Sequence, residues 1–335
     1  DVYKRQVNTP PNKDIRWEKT TTVNVGVDFA LFRHRLSGTI EYYNKYSVDL
    51  LAAINGSPTQ GFGYTTLMTN NGKMVNRGVE ITLSGEIIRQ KDFSWNASLL
   101  YAFNRNKVKH ISVQPSLWDS RISMPTSYLM VGKPLYGIYA YKWAGLNENG
   151  DPQVYDAENN VTSGPARDYH ALVYCGTTVP IHNASLTNVL RYKGLEFSAM
   201  LILDAGHKLR SSNIPSINMS NGRITSTAKG IVDRWTQPGD VTDVPRLLFS
   251  NDTENFNTHR TELYRYSDLF VYDASNIRLS NISLAYRVPA HWCKKISLSG
   301  ARLQFNVENV ATFAFDSKAN YDLGGKVKPN YVWGL

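Results

Sequence analysis

The sequence holds only two cysteines, Cys175 and Cys293, far apart and without partners at metal-ligand spacing, so neither a disulfide framework nor a zinc site is indicated. The seven histidines include no H-x-x-H or H-E-x-x-H pair, which leaves a metal centre without support. No G-x-S-x-G elbow and no phosphate-cradling glycine loop occurs. No stretch approaches the roughly 18 to 20 uninterrupted apolar residues of a membrane-spanning helix, so any crossing must be made by strands. The opening DVYKRQVNTPPNKD has neither a basic region followed by an apolar core nor a small-residue cleavage site. On that reading the protein is cytosolic or its start lies elsewhere. The net charge of +9 comes from Lys and Arg scattered in ones and twos, not gathered into a stripe, which argues against nucleic acid.

What is present is aromatic side chains, 12% of the residues, in a chain whose mean hydropathy is negative. That combination suits a sheet with one apolar and one wet face. The strongest pattern is period-two alternation, which sends successive side chains to opposite faces of a strand. Val23, Val25, Val27, Phe29 and Leu31 alternate with Asn24, Gly26, Asp28 and Ala30, and after a tight turn at 33–35 Leu36, Ile40 and Tyr42 alternate with Ser37, Thr39, Glu41 and Tyr43. Val79, Ile81, Leu83 and Ile87 follow, and then Phe93, Trp95, Ala97, Leu99, Tyr101 and Phe103, with a turn near Arg89 to Asp92. Leu186 to Tyr192 and Leu195 to Ala205 flank Lys193-Gly194. Ile277 to Arg287, Ala301 to Phe313 and Tyr331 to Leu335 complete the set.

These strands run about 10 to 13 residues, longer than soluble strands and close to the length that crosses a bilayer at a tilt. Connections alternate between short (33–35, 89–92, 193–194) and long (47–74, 106–134, 206–275), the asymmetry of periplasmic turns and extracellular loops. The fold expected is therefore all-β, an antiparallel outer-membrane β-barrel. Parity extends the argument. If the strand ending at Phe103 runs outward and the one entering Lys193 runs inward, an even number of strands lies between them. Only Tyr136 to Trp143 is plain, so one more is expected between Gly145 and Ala184, around Tyr169 to Thr177, for about eleven strands in all.

Several blocks resemble the SusC/RagA-type TonB-dependent outer-membrane transporters. Trp17-Glu18-Lys19-Thr20 resembles that family's W-E-x-T entry, and Glu41-Tyr42-Tyr43-Asn44-Lys45 with Asp49-Leu50-Leu51 resembles its D-Y-Y-N-K…D-L-L hairpin. Asn71-Gly72-Lys73-Met74-Val75-Asn76-Arg77-Gly78-Val79-Glu80 is similar to its N-x-G-x-M-x-N-x-G-x-E signature, the most specific of these, and Asn104 to Val108 to its N-x-N-K-V strand end. Gly132-Lys133-Pro134-Leu135-Tyr136-Gly137 leading to Tyr141, and Ile277 to Leu284 leading to Pro289, continue the match in order.

The resemblance implies that residues 17–335 form the C-terminal half of the barrel, after a leading segment 1–16 that is partly outside the family pattern, with the plug domain and the TonB-contacting segment elsewhere. Barrels of this class have about 22 strands around a plugged lumen. It further implies import of a nutrient, glycan oligosaccharide or peptide, with a SusD-like surface lipoprotein closing over the barrel, TonB acting through the plug, and outer-membrane lipid around the wall. It calls for no cofactor and no catalysis. By itself such a half should transport nothing. The rival readings are a soluble carbohydrate-binding β-sandwich and an outer-membrane barrel enzyme.

Residue by residue, Gly145-Leu146-Asn147-Glu148-Asn149-Gly150-Asp151 has the oxygen-rich composition of a calcium loop but lacks the bidentate Glu of an EF-hand, so it reads as a turn. His207 reads as a surface residue where a strand meets a long loop. Asp28, Glu80 and Glu86 read as lumen-facing polar residues. Phe62, Tyr64, Trp118 and Tyr128, aromatics of the expected outer loops, are the candidates for stacking on a sugar ring or docking a partner's loop, against ordinary loop packing.

Overall fold

The structure is a computed structural model and describes residues 12–55, 66–112, 130–164, 169–219, 228–249, 259–295, 297–324 and 330–334. Nine strands form one antiparallel sheet in chain order: β1 (Lys19–Leu31), β2 (Leu36–Asn55), β3 (Thr66–Arg89), β4 (Phe93–Ile111), β5 (His182–Tyr192), β6 (Leu195–Ala205), β7 (Asn276–Arg287), β8 (Arg302–Ala314) and β9 (Asn330–Gly334). Among the described residues β1 and β9 are its free edges, so the sheet is an open wall.

The register turns the alternation into continuous rows. Val27, Ile40, Ile81, Tyr101, Ala184, Leu203, Ile277 and Phe313 lie side by side across eight strands, and Leu83, Leu99, Leu186, Leu201 and Leu279 form the next row. On this face large apolar side chains are uncovered: Val25 is 62% exposed, Val27 61% and Phe313 60%. Burial of apolar area against other protein therefore does not account for this face, and a hydrocarbon solvent does. Polar groups on this face pair with one another, the Trp95 Nε1–H donating to Asn188 Oδ1 at 3.1 Å and the Tyr101 hydroxyl meeting His182 Nδ1 at 2.8 Å. The opposite face carries Asp28, Thr39, Thr82, Ser84, Ser98, Ser185 and Thr187.

The short connections are built for their twist. Lys193, with φ of 51°, precedes Gly194, the two-residue pattern that suits right-twisted strands. A side chain at 194 would collide with the Arg287 carbonyl. Phe32, Arg33 and His34 all adopt positive φ. The connection 288–301 at the same end is longer and contains the helix Ala290–Lys295.

Two expectations are corrected. Among the described residues the sheet holds nine strands and not eleven, because β5 pairs directly with β4 through Leu186↔Leu99. Parity asks for an even number of strands between Phe103 and Lys193, and zero satisfies it. The two segments expected in the wall, Gly137–Tyr141 and Leu172–Thr177, pair with each other in a separate sheet. Gly137–Tyr141 is buried at every position, and a segment covered on both faces cannot present one of them to lipid. The expected long loop 47–74 is in large part strand, since β2 and β3 continue as a hairpin to Asn55 and Thr66.

Candidate functional site

Where the strands reach the long-loop end, the blocks singled out in the sequence hold one another. The Glu18 carboxylate accepts the Leu51 N–H at 2.8 Å, just past Asp49, whose φ of 57° marks the bulge that shifts the β2–β3 register. Asn70 clasps the same spot, its amide nitrogen donating to the carbonyls of Asp49 and Arg16 and its oxygen accepting the Arg16 N–H. Tyr43 and Gly78 are direct cross-strand partners, and the Tyr43 ring occupies the space that a Cβ at 78 would need. Arg77 Nε donates to Asn44 Oδ1 at 3.1 Å. The Asn104–Val108 block is edged by the Gly132–Leu135 block: Asn106 Oδ1 accepts the Leu135 N–H, and Val108 exchanges backbone hydrogen bonds with Gly132 and Lys133. Recurring residue types at fixed spacing thus mark the points where wall strands pass into loops.

Beyond that rim the connections after β4 and after β6 fold together. Tyr141, Val154, Ala171 and Leu263 form one apolar cluster, and Ile217, Tyr264 and Phe270 a second, with Trp143 packing against both. Between them lies Arg260, 1% exposed on the helix Arg260–Arg265. It donates to Asp151 Oδ1, to Asn218 Oδ1 at 2.7 Å, and to the carbonyls of Ile217 and Arg246. Arg246 grips the same Asp151 through two hydrogen bonds of 3.2 and 2.7 Å. Burial lowers the affinity of Arg260 for its proton and Asp151 opposes that. A fully hydrogen-bonded fork of this kind is how a guanidinium is tolerated in an interior.

The segment Gly145 to Asp151 is a turn, Asn147 Oδ1 accepting the N–H groups of Asn149 and Asp151. The Asp151 carboxylate is occupied by the two guanidinium groups. The Cys175 thiol is pushed up to about 11 by burial and by Asp268, the opposite of an activated nucleophile. Among the described residues no three His, Cys, Asp or Glu side chains come together as a metal site.

His207 is a further correction. It is 9% exposed, not a surface residue: it joins β6 to the strand pair Lys208–Arg210 with Val271–Asp273, and its carbonyl accepts the Ala274 N–H at 3.0 Å, which ties it to the chain beyond that pair. Its Nδ1 has no hydrogen-bond partner, and burial lowers its pKa below the ordinary value while Asp204 and Asp273 act to raise it. Lys208 and Asp273 are paired at 3.0 Å beside it.

Asp28, Glu80 and Glu86 lie, as read from the alternation, on the polar face of the wall. Asp28 accepts the Thr39 hydroxyl at 2.6 Å and Glu86 faces Arg89 at 3.4 Å. Glu80 borders a shallow hollow of about 300 Å³ together with Thr82, Leu100, Asn183, Ser185 and Asp204. Phe62, Tyr64, Trp118 and Tyr128 lie outside the described residues. Arg260, Asp151 and Arg246 escaped the sequence reading. Arg260 lies 109 residues from Asp151, and no local pattern connects them.

A strand wall with lipid-facing apolar rows, a polar inner face, short turns at one end and folded loops at the other is that of an outer-membrane β-barrel. The chain belongs to the TonB dependent receptor-like β-barrel family, whose model matches residues 2–310. It is 25% identical to TonB-dependent receptor P3 of Formosa agariphila over 97% of its own length and 33% of that protein. It is also 25% identical to TonB-dependent receptor SusC of Bacteroides thetaiotaomicron, over 89% of the chain and 29% of that protein. Its fold is similar to a solved structure of the RagAB peptide transporter, with a TM-score of 0.73 at 22% identity, covering 94% of this chain and 34% of that one. The chain thus spans about a third of the length of the relatives it matches.

Proposed function

We propose that this chain is wall and outer mouth of an importer that carries a nutrient, an oligosaccharide or a peptide, across the outer membrane with TonB-coupled energy. The observation that carries the proposal is the pairing of the two regions: a lipid-bounded wall with a polar inner face, and above it a folded unit made from the two longest connections. A transporter needs both, one to cross the bilayer and one to shape the mouth through which a ligand enters. The short-turn end then faces the periplasm and the loop unit the exterior. A SusD-like surface lipoprotein is the partner that would close over this mouth, and TonB would act through a plug carried by the rest of the polypeptide. The aromatics Phe62, Tyr64, Trp118 and Tyr128 are proposed as ligand or partner contacts.

The barrel does no covalent chemistry in this reading. The test uses the full-length protein. It should fractionate with the outer membrane, require detergent for extraction, and support uptake of an oligosaccharide or peptide that stops when TonB is deleted. Recovery in the soluble fraction without detergent would contradict the proposal, and turnover of the oligosaccharide by purified protein would favour an enzyme.

A further inference from the structure

At the short-turn end of the wall a hollow of about 200 Å³ is bordered by Arg191, Lys193, Gly194, Glu196, Arg287 and Arg302. Four cations there share one carboxylate. Glu196 accepts Arg191 Nε at 2.7 Å and Arg302 Nη2 at 3.3 Å, which commits both of its oxygens. Arg287 sits directly opposite Arg302 across β7 and β8, and among the described residues it has no acidic partner. Like charges directly opposed on neighbouring strands destabilise a sheet unless an anion intervenes.

The alternation fixes which way this cluster faces. Arg287 and Arg302 share the parity of Ala285 and Gln304, while Tyr286 and Leu303, the latter 49% exposed, lie on the lipid face. The cluster therefore looks into the lumen, out of reach of lipid phosphates. Farther up the same face lie Asp28, Glu80 and Asp204, the last facing Arg278 at 3.8 Å. An anion inside the barrel is attracted most at the base, where four cations share one carboxylate.

We infer that Arg287, Arg302 and Arg191 form a cradle for an acidic segment of this protein's own polypeptide, from the part lying outside these residues and held at the periplasmic end of the lumen. The inference rests on the import reading, under which that remaining length of chain includes a body filling the lumen. About two thirds of the length of the relatives lies outside the matched region, ample for such a body. Charge complementarity selects its docking face: a carboxylate between Arg287 and Arg302 would remove their repulsion and give Arg287 its missing partner.

The test places a photocrosslinker, Gln304→p-benzoylphenylalanine, on the luminal face beside the cluster in the full-length protein in its membrane, and maps the adduct by mass spectrometry. The expected adduct is to an Asp- or Glu-containing segment of the same polypeptide outside residues 1–335. Its yield should fall about tenfold in the R287E/R302E background and persist with R287K/R302K, as a purely electrostatic contact requires. An adduct to a neutral or basic segment, to lipid or to another molecule, no adduct at all, or a yield indifferent to charge reversal overturns the inference. Heat-modifiable migration of each variant confirms a folded barrel. Absence of the protein from the outer membrane would instead count against the import reading itself.

Discussion

In the wall, Val25, Val27 and Phe313 leave more than half their surface uncovered, whereas in the loop unit Tyr139, Tyr141 and Leu263 are at most 1% exposed. The same residue classes are treated in opposite ways within one chain. The wall can leave them uncovered because hydrocarbon supplies the apolar medium, and its backbone is satisfied by the ladder. The loop unit stands in water and must bury its own apolar side chains, so it assembles two clusters and stitches them with Arg260. Each region should consequently fail in its own way.

The largest effect is expected from Arg260→Ala. It deprives two carbonyls, Asn218 and Asp151 of a buried donor, and breaking such a buried pair typically costs about 3–5 kcal/mol. Limited proteolysis of the full-length protein should then cut within the connections after β4 and β6 while the barrel keeps its heat-modifiable migration. Simultaneous loss of both would erase the distinction between the regions.

The wall is probed by Leu83→Arg, near mid-height on the lipid face, against its neighbour Thr82→Arg on the luminal face. Unfolding by urea from lipid vesicles should show about 2–4 kcal/mol lost for the first and within about 0.5 kcal/mol of no change for the second. Equal losses would mean that the faces are not two solvents. Gly78→Ala tests the rim between the regions. The added methyl meets the Tyr43 ring and the Phe103 carbonyl, so about 1–3 kcal/mol of stability should disappear in the same assay.

The smallest effect is a pH dependence at His207, where the folded pKa lies below the unfolded value. The folded state then binds the proton less tightly, so stability is full above the unfolded value of about 6.5 and is lost as pH falls below it toward the folded value. Proteolysis near residues 206–210 should rise on acidification and be flat in His207→Gln. A rise that persists in the variant would assign the effect elsewhere.

How much was legible follows the same division. Wall strands repeat every second residue, so positions such as Val27 and Ile40 announced both their strand and their face. The blocks around Glu18, Tyr43 and Gly78 were legible as spacing, though not as the mutual contacts that explain it. The loop unit was not, because its order comes from distant pairs such as Arg260 with Asp151, and Gly137–Tyr141 looks like any short apolar strand until its burial on both faces is known. His207 reads as exposed for the same reason, since its neighbours include Ala274, more than sixty positions away along the chain.

The central claim is that one face of the wall meets lipid and the other does not. A fluorophore scan on single-cysteine variants at positions 39 to 42 of the full-length protein in vesicles carrying a nitroxide lipid tests it most directly. The account predicts strong quenching at 40 and 42 and little at 39 and 41, with none at Tyr139 or Tyr141 in the loop unit. Uniform quenching along the strand, or none at any position, would contradict it.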